Sequence, residues 1–209
     1  MKKIIVVALV AVFCLGALAG CSSAPSPTQV TQNFLDAVKA SDSEEIQNSY
    51  TIGSFSFEDM TSSEASEEGT QLNEETANAL SSKLLEFDYE LSNEQIDGDT
   101  ATVDVAITTY PLGDAFSSFF SDYLSQAFAA ALSGASQDEL SEIASGILLE
   151  KINAMEKTYS GTATISLTKV DDQWKVDQID QNGDFMNVLT GGLVDTVNRL
   201  ASAYDTSSE

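Results

Sequence analysis

The sequence predicts an α+β protein: a four-stranded antiparallel sheet packed against helices, with a two-helix insertion between the second and third strands. Three observations carry this. The apolar period switches from about 3.6 residues to 2 and back, twice along the chain. Two turn signals, Asp97-Gly98 and Asp171-Asp172-Gln173, each sit between alternating runs and predict two hairpins. Apolar residues make up 43% of the 209 and charged residues 20%, enough hydrophobic material for a real core.

The elements follow in order. Ser26-Pro27-Thr28-Gln29 reads as a helix start, with Ser26 as cap, Pro27 in the first helical position and Gln29 closing a capping box. Val30, Phe34, Ala37 and Val38 then form one apolar stripe. A second short helix is predicted near Asp42, with Ile46 and Tyr50 on one face. Gly53 to Gln71, rich in Ser, Thr, Glu and Gly, reads as a loop that Phe55 and Phe57 tack onto the core. Asn73 to Leu84 is a third helix, with Ala77, Leu80 and Leu84 inward.

Leu85, Phe87, Tyr89 and Leu91 then alternate with polar residues as a half-buried strand. Ile96 falls out of that register, which predicts a bulge near Asn93 to Gln95. Ala101, Val103, Val105 and Ile107 form the inward face of the second strand. Phe116, Phe119, Phe120, Tyr123, Ala127, Ala130 and Ala131 lie along one wide helical face, broken at Gly134. Ser136 and Glu139 open another helix with a capping box, followed by Leu140, Ile143, Ala144, Ile147, Leu148, Ile152 and Met155. The aromatic face gives the first of this pair more apolar area than its partner helix needs. The surplus predicts a cap on one end of the core or a docking surface.

Ala163, Ile165 and Leu167 mark the third strand. Trp174 and Val176 begin the fourth, expected to end near Asp180. One last helix carries Phe185, Val188, Leu189, Leu193, Val197, Leu200 and Tyr204, with a kink expected at Gly191-Gly192. The expected organisation is a targeting segment over 1–20, a tether over 21–26, one α+β domain over 27–205 with its insertion at about 113–156, and a fraying tail over 206–209.

Composition narrows the function. There are 33 acidic residues against 9 basic, a formal charge of −24, and no His. Nucleic acid is excluded as a partner, because phosphate binding rests on Lys and Arg. Ser-His-Asp and Cys-His catalysis and His-ligated metal sites are excluded with the missing His. Anionic lipid repels such a chain unless something holds it there.

The N-terminus supplies a holder. Lys2 and Lys3 precede the apolar run Ile4 to Leu15, and the uncharged stretch to Ala19 is shorter than the roughly 20 residues a spanning helix needs. It ends in Leu18-Ala19-Gly20-Cys21, which resembles the lipobox of bacterial lipoproteins. That resemblance implies diacylglycerol on the Cys21 thiol, cleavage before Cys21, and a protein facing the outside of the cytoplasmic membrane. Two acyl chains anchor stably where one does not. The remaining cysteine, Cys14, leaves with the signal, so the mature chain has no disulfide.

A second resemblance covers roughly residues 27 to 190. Phe34-Leu35-Asp36-Ala37-Val38, the Ile96 to Val103 hairpin, and Lys169-Val170-Asp171-Asp172-Gln173-Trp174-Lys175-Val176 resemble bacterial lipoproteins of unknown function. Those have the cone-shaped, cystatin-like fold shared with nuclear transport factor two, which implies a curved sheet and a pocket between sheet and helices. Pocket-lining candidates under that reading are Phe34, Tyr89, Tyr110, Tyr159 and Trp174.

No catalytic constellation is visible. Asp104, the one acid within a central strand, sits on the Thr-rich face and reads as solvated. Asp180-Gln181-Asn182-Gly183-Asp184 lacks the distal Glu and further oxygen ligands of a calcium loop and reads as a strand-to-helix turn capped by Asp184. No metal or cofactor is expected. The leading expectation is a lipid-anchored binding module for a small molecule or an envelope protein. The alternatives are an envelope structural or adhesion protein without a pocket and, behind it, an isomerase- or hydrolase-like enzyme.

Overall fold

Ser26 begins the first helix as the capping box requires. Its hydroxyl accepts from the Gln29 N–H at 3.2 Å, and the Ser26 N–H donates to Gln29 Oε1 at 3.1 Å. The computed structural model of the protein describes residues 24–51 and 73–205. The targeting segment 1–20, Cys21, the loop Gly53 to Gln71 with Phe55 and Phe57, and the tail 206–209 lie outside the described residues.

Helix α1 (Pro27–Ala40) buries the predicted stripe of Val30, Phe34, Ala37 and Val38, and with it Pro27, Thr31 and Leu35. Asp42 caps α2 (Ser43–Ser49). Tyr50, expected on its face, instead leaves the helix with extended backbone and bridges to Val176. Asn73 caps α3 (Glu74–Leu85) by accepting from the Thr76 N–H at 2.9 Å. Leu85 thus ends a helix where a strand start was expected. Adjacent Leu84 and Leu85 satisfy both periods, and the pattern alone cannot divide them.

Strands β1 (Asp88–Asp97), β2 (Thr100–Thr109), β3 (Tyr159–Val170) and β4 (Gln173–Val176) form one open antiparallel sheet in the order β1-β2-β3-β4. The predicted bulge is present: the register shifts between Ser92 and Gln95, and Asn93 has φ 52°. Asp171 and Asp172 turn β3 into β4 with φ of 50° and 63°, a left-handed pair that Asp tolerates because its short side chain bonds locally. The fourth strand stops at Val176, not near Asp180. Asp177 still donates its N–H to the Ser166 carbonyl at 2.9 Å, and then the chain turns away.

One sheet face is apolar. Ala101, Val103, Val105 and Ile107 of β2 and Ala163, Ile165 and Leu167 of β3 are buried there with Phe34, Leu35, Val38 and Phe87. The opposite face carries Thr102, Asp104, Thr164 and Ser166, none of them buried, so alternation separates core from solvent residue by residue.

Between β2 and β3 run α4 (Leu112–Leu132) and α5 (Gln137–Ala154). Thr109 pairs with Tyr159, so this insertion leaves and re-enters at one end of the sheet. The predicted Ser136–Glu139 capping box opens α5. The expected single last helix is two: α6 (Asp184–Leu189) and α7 (Leu193–Asp205). Gly191 and Gly192, with φ of 59° and 81°, stop the helix outright. The reason is tertiary. The Gly113 N–H of α4 donates to the Gly191 carbonyl at 3.0 Å, and a Cβ on Gly191 would overlap the Tyr110 carbonyl oxygen. The cap of α6 is Gly183 and not Asp184, which is its first helical residue.

Candidate functional site

Among the described residues a well-formed hollow lies between the helices. Helix α4 presents Ala115, Phe116, Phe119, Phe120 and Tyr123 at helical spacing, and its neighbours complete a cavity of about 450 Å³. Leu80 comes from α3, Ala144, Leu148 and Ile152 from α5, and Leu193 and Val197 from α7. That volume lies in the range of small-molecule sites.

Specific contacts hold the walls. The Phe116 and Phe119 ring centroids are 5.9 Å apart, and Phe119 stacks on Tyr123 at 5.7 Å. Lys151 of α5 pairs with Asp122 of α4 at 2.6 Å, on the outside of the cavity wall. Thr76 Oγ1 donates to the Ser145 carbonyl at 3.3 Å, tying α3 to α5. The Gly113–Gly191 contact fixes the start of α4 against the break between α6 and α7.

The twelve described lining residues carry one polar side-chain group, the Tyr123 hydroxyl, and no charge. Such a surface gains by taking apolar area from water, at about 25 cal/mol per Å². It penalises any ligand charge, which would be desolvated without a partner. Phe120, at the cavity rim, is 39% exposed, and past the cavity α4 goes on exposing apolar side chains: Leu124 is 53% exposed, Phe128 69% and Leu132 75%.

None of the five candidate pocket residues lines this cavity. Phe34 is fully buried between α1 and the sheet, its ring centroid 5.5 Å from Tyr50 and 6.5 Å from Phe185. Tyr89, on β1, donates its hydroxyl to Asp36 Oδ1 at 2.6 Å. Burial first, then the bonded Asp36 carboxylate, push its ionisation above the usual tyrosine range. Tyr110 is buried at the end of β2, its hydroxyl donated to Glu86 Oε2 at 3.1 Å and its ring under the Lys83 ammonium at 4.0 Å. Tyr159 packs against the core, and its ionisation is raised by burial and then by the Asp195 charge. Trp174 is buried on β4, with the Lys169 ammonium 5.0 Å from its ring. It lines a separate cleft of about 210 Å³ with Pro25, Val30 and Glu45.

Asp104 is half-exposed and accepts from Asn93 Nδ2 at 2.9 Å and Thr164 Oγ1 at 2.8 Å. These bonds hold its carboxyl below the ordinary range. In the turn before α6, Asp180 Oδ1 accepts from the Asn182 N–H at 2.9 Å, an Asx turn. Among the described residues no group of three or more acidic or Cys side chains could hold a metal ion. Among them, too, no helix is long and apolar enough to cross a membrane.

The cavity residues that sequence reasoning did not join into a site, such as Leu80, Leu148, Ile152 and Val197, each read as one more core-facing apolar position. The legible signal was the aromatic surplus of α4.

No family model matches the chain, and no curated protein matches it. Among solved structures it is similar to ycdA of Bacillus subtilis, described as a putative lipoprotein, with 18% identity and a TM-score of 0.39. The match covers 77% of this chain and 44% of that one, so the chain spans less than half the length of this neighbour.

Proposed function

We propose that the protein is a lipid-anchored binding module, held through Cys21 on the outside of the cytoplasmic membrane, whose helical cavity takes a small, uncharged, apolar molecule. The observation that carries the binding role is the cavity of about 450 Å³ with a hydrocarbon lining broken by one hydroxyl. General acid–base catalysis needs a titratable group against the substrate. The described lining residues supply only a phenol, which favours binding over chemistry at this place. The anchor reading rests on Lys2, Lys3, the apolar run from Ile4 and Leu18-Ala19-Gly20-Cys21.

Two experiments test the two halves. Metabolic labelling with a clickable fatty acid should mark the protein and should fail on Cys21→Ala; label persisting on that variant ends the anchor reading. The neutral probe N-phenyl-1-naphthylamine should brighten on binding the protein. Ala115→Leu, which adds three carbons and narrows the cavity, should weaken that signal while the melting temperature stays level. An unchanged signal in Ala115→Leu would remove the cavity from the account.

An envelope protein that docks a partner through α4 is the second reading. It is favoured by the exposed series Leu124, Phe128 and Leu132. Substituting those three with Ser separates it, because it leaves the cavity lining intact.

A further inference from the structure

Strand β3 is only half covered on the side away from β2. Strand β4 ends at Val176, opposite Leu167, and the Asp177 N–H to Ser166 carbonyl bond is the last rung. Beyond it the two segments splay. Residues 177–185 form one wall and β3 from Thr162 to Ser166 the other of a cleft of about 320 Å³.

Antiparallel alternation says what the strand shows to that cleft. Ser166 directs its carbonyl toward β4, so Thr164 and Thr162, two and four residues earlier, direct their N–H and C=O groups the same way. No backbone partner meets those groups among the described residues. Strand edges are ordinarily blunted with charges or bulges. The outer edge strand β1 follows that rule, with Asp88, Glu90, Glu94 and Asp97 and its bulge at Asn93. From Ser160 to Thr168, β3 has no charged side chain and no break in register with β2.

We propose that the open edge of β3 at Thr162–Ser166 receives an extended peptide segment carrying Lys or Arg, which pairs as an added strand in the cleft facing Asp177, Asp180 and Asp184. Backbone bonds to Thr162 and Thr164 supply the pairing, and side chains at alternate positions meet the facing wall. The chemistry of that wall selects the occupant. Three carboxylates line it with no cation among the described lining residues, so a basic segment is attracted and an acidic one repelled. The same charge disfavours a second copy of this chain, which carries −24 overall. The proposal does not rest on the apolar cavity, whose lining shares no residue with this cleft.

The test uses the full chain in lipid nanodiscs and a panel of fluorescein-labelled, β-prone octapeptides. Half carry Lys or Arg at alternate positions, and half are the same sequences with Glu. Anisotropy should report binding of basic members, at least tenfold tighter than their Glu counterparts. Hydrogen exchange at Thr162 and Thr164 should slow when a basic peptide is added. Thr164→Pro removes one cleft-facing N–H and no backbone bond to β2, and should weaken binding at least tenfold; Thr164→Val, which loses only the hydroxyl bond to Asp104, should bind like the parent. Asp177→Asn with Asp184→Asn leaves the backbone intact and should weaken it severalfold and flatten its salt dependence. No basic peptide binding below about 1 mM would overturn the proposal. So would equal binding of the Glu series, binding indifferent to Thr164→Pro and to Asp177→Asn with Asp184→Asn, or dimerisation of the chain through this edge.

Discussion

The sheet layer and the helical layer of this protein are built to different standards. Under the sheet, Phe34, Leu35, Val38, Phe87, Val103, Val105, Leu167, Val176 and Leu189 are wholly buried, and the facing strand residues alternate without a lapse. Among α3, α4, α5 and α7 the large side chains are mostly half-buried, a cavity of about 450 Å³ remains, and α4 runs out into solvent with Leu124, Phe128 and Leu132 exposed. A close-packed interior makes stability, because each buried group has contacts on all sides. A loosely filled one keeps room for something else. By this assignment folding free energy is concentrated in the sheet and its α1 cover, while the helices leave the unfilled space that the proposed ligand would take.

The assignment can be broken by measuring both halves with one denaturant series. Phe34→Ala should cost about 3–5 kcal/mol, since it removes a fully buried ring from the best-packed part of the molecule. Gly191→Ala comes next, at about 1–3 kcal/mol. The new Cβ meets the Tyr110 carbonyl, and the residue must keep a left-handed φ of 59°. Because that contact also seats α4, Gly191→Ala should weaken binding of the naphthylamine probe as well. Phe119→Ala should cost about 1–2 kcal/mol, as a half-buried ring beside an existing cavity has less contact to lose. If Phe119→Ala proved as costly as Phe34→Ala, the two layers would not differ as described.

Smaller effects sharpen the picture. Glu94 of β1 accepts from the Thr28 hydroxyl at 2.6 Å and the Thr28 N–H at 2.8 Å, which fastens α1 to the edge strand. These bonds lower its ionisation from the ordinary 4.5. A carboxyl depressed in the folded state stabilises it above the unfolded value, and that contribution disappears as pH falls through the folded value. Glu94→Gln should therefore be less stable than the parent at pH 7, with the gap closing as the pH is taken below 4.5. A gap constant down to pH 2 would show that the carboxylate form is not what α1 uses. Phe128→Ser should shift stability by no more than about 0.5 kcal/mol, given that its side chain is 69% exposed. Added salt should raise the melting temperature modestly, because a formal charge of −24 repels itself in the compact state.

Local chemistry makes much of the fold legible in the order of residues. The Ser26 and Ser136 capping boxes, the bulge after Ser92, the Asp97-Gly98 and Asp171-Asp172 turns and the inward faces of β2 and β3 are each written in a few adjacent residues. Period 2 and period 3.6 cannot both satisfy a long run, so the run decides its own element. The candidate site is not legible in that way. Its lining comes from four helices separated by up to 117 positions, from Leu80 to Val197, and each residue by itself is an ordinary core-facing position. Whether such faces close on one another or leave a hollow depends on how four helices are set. That setting rests on tertiary contacts: Gly113 against Gly191, Thr76 against Ser145, and Lys151 against Asp122. The same holds for the break between α6 and α7 and for the early end of β4. The amphipathic pattern from Phe185 to Tyr204 specifies a helix, and the alternation after Trp174 specifies a strand. How far each continues is decided by the Tyr110 backbone that crowds Gly191 and by the chain leaving β3 after Asp177. Short-range order follows from steric and capping preferences within a few residues, while the space between elements belongs to residues that meet only when the chain is folded.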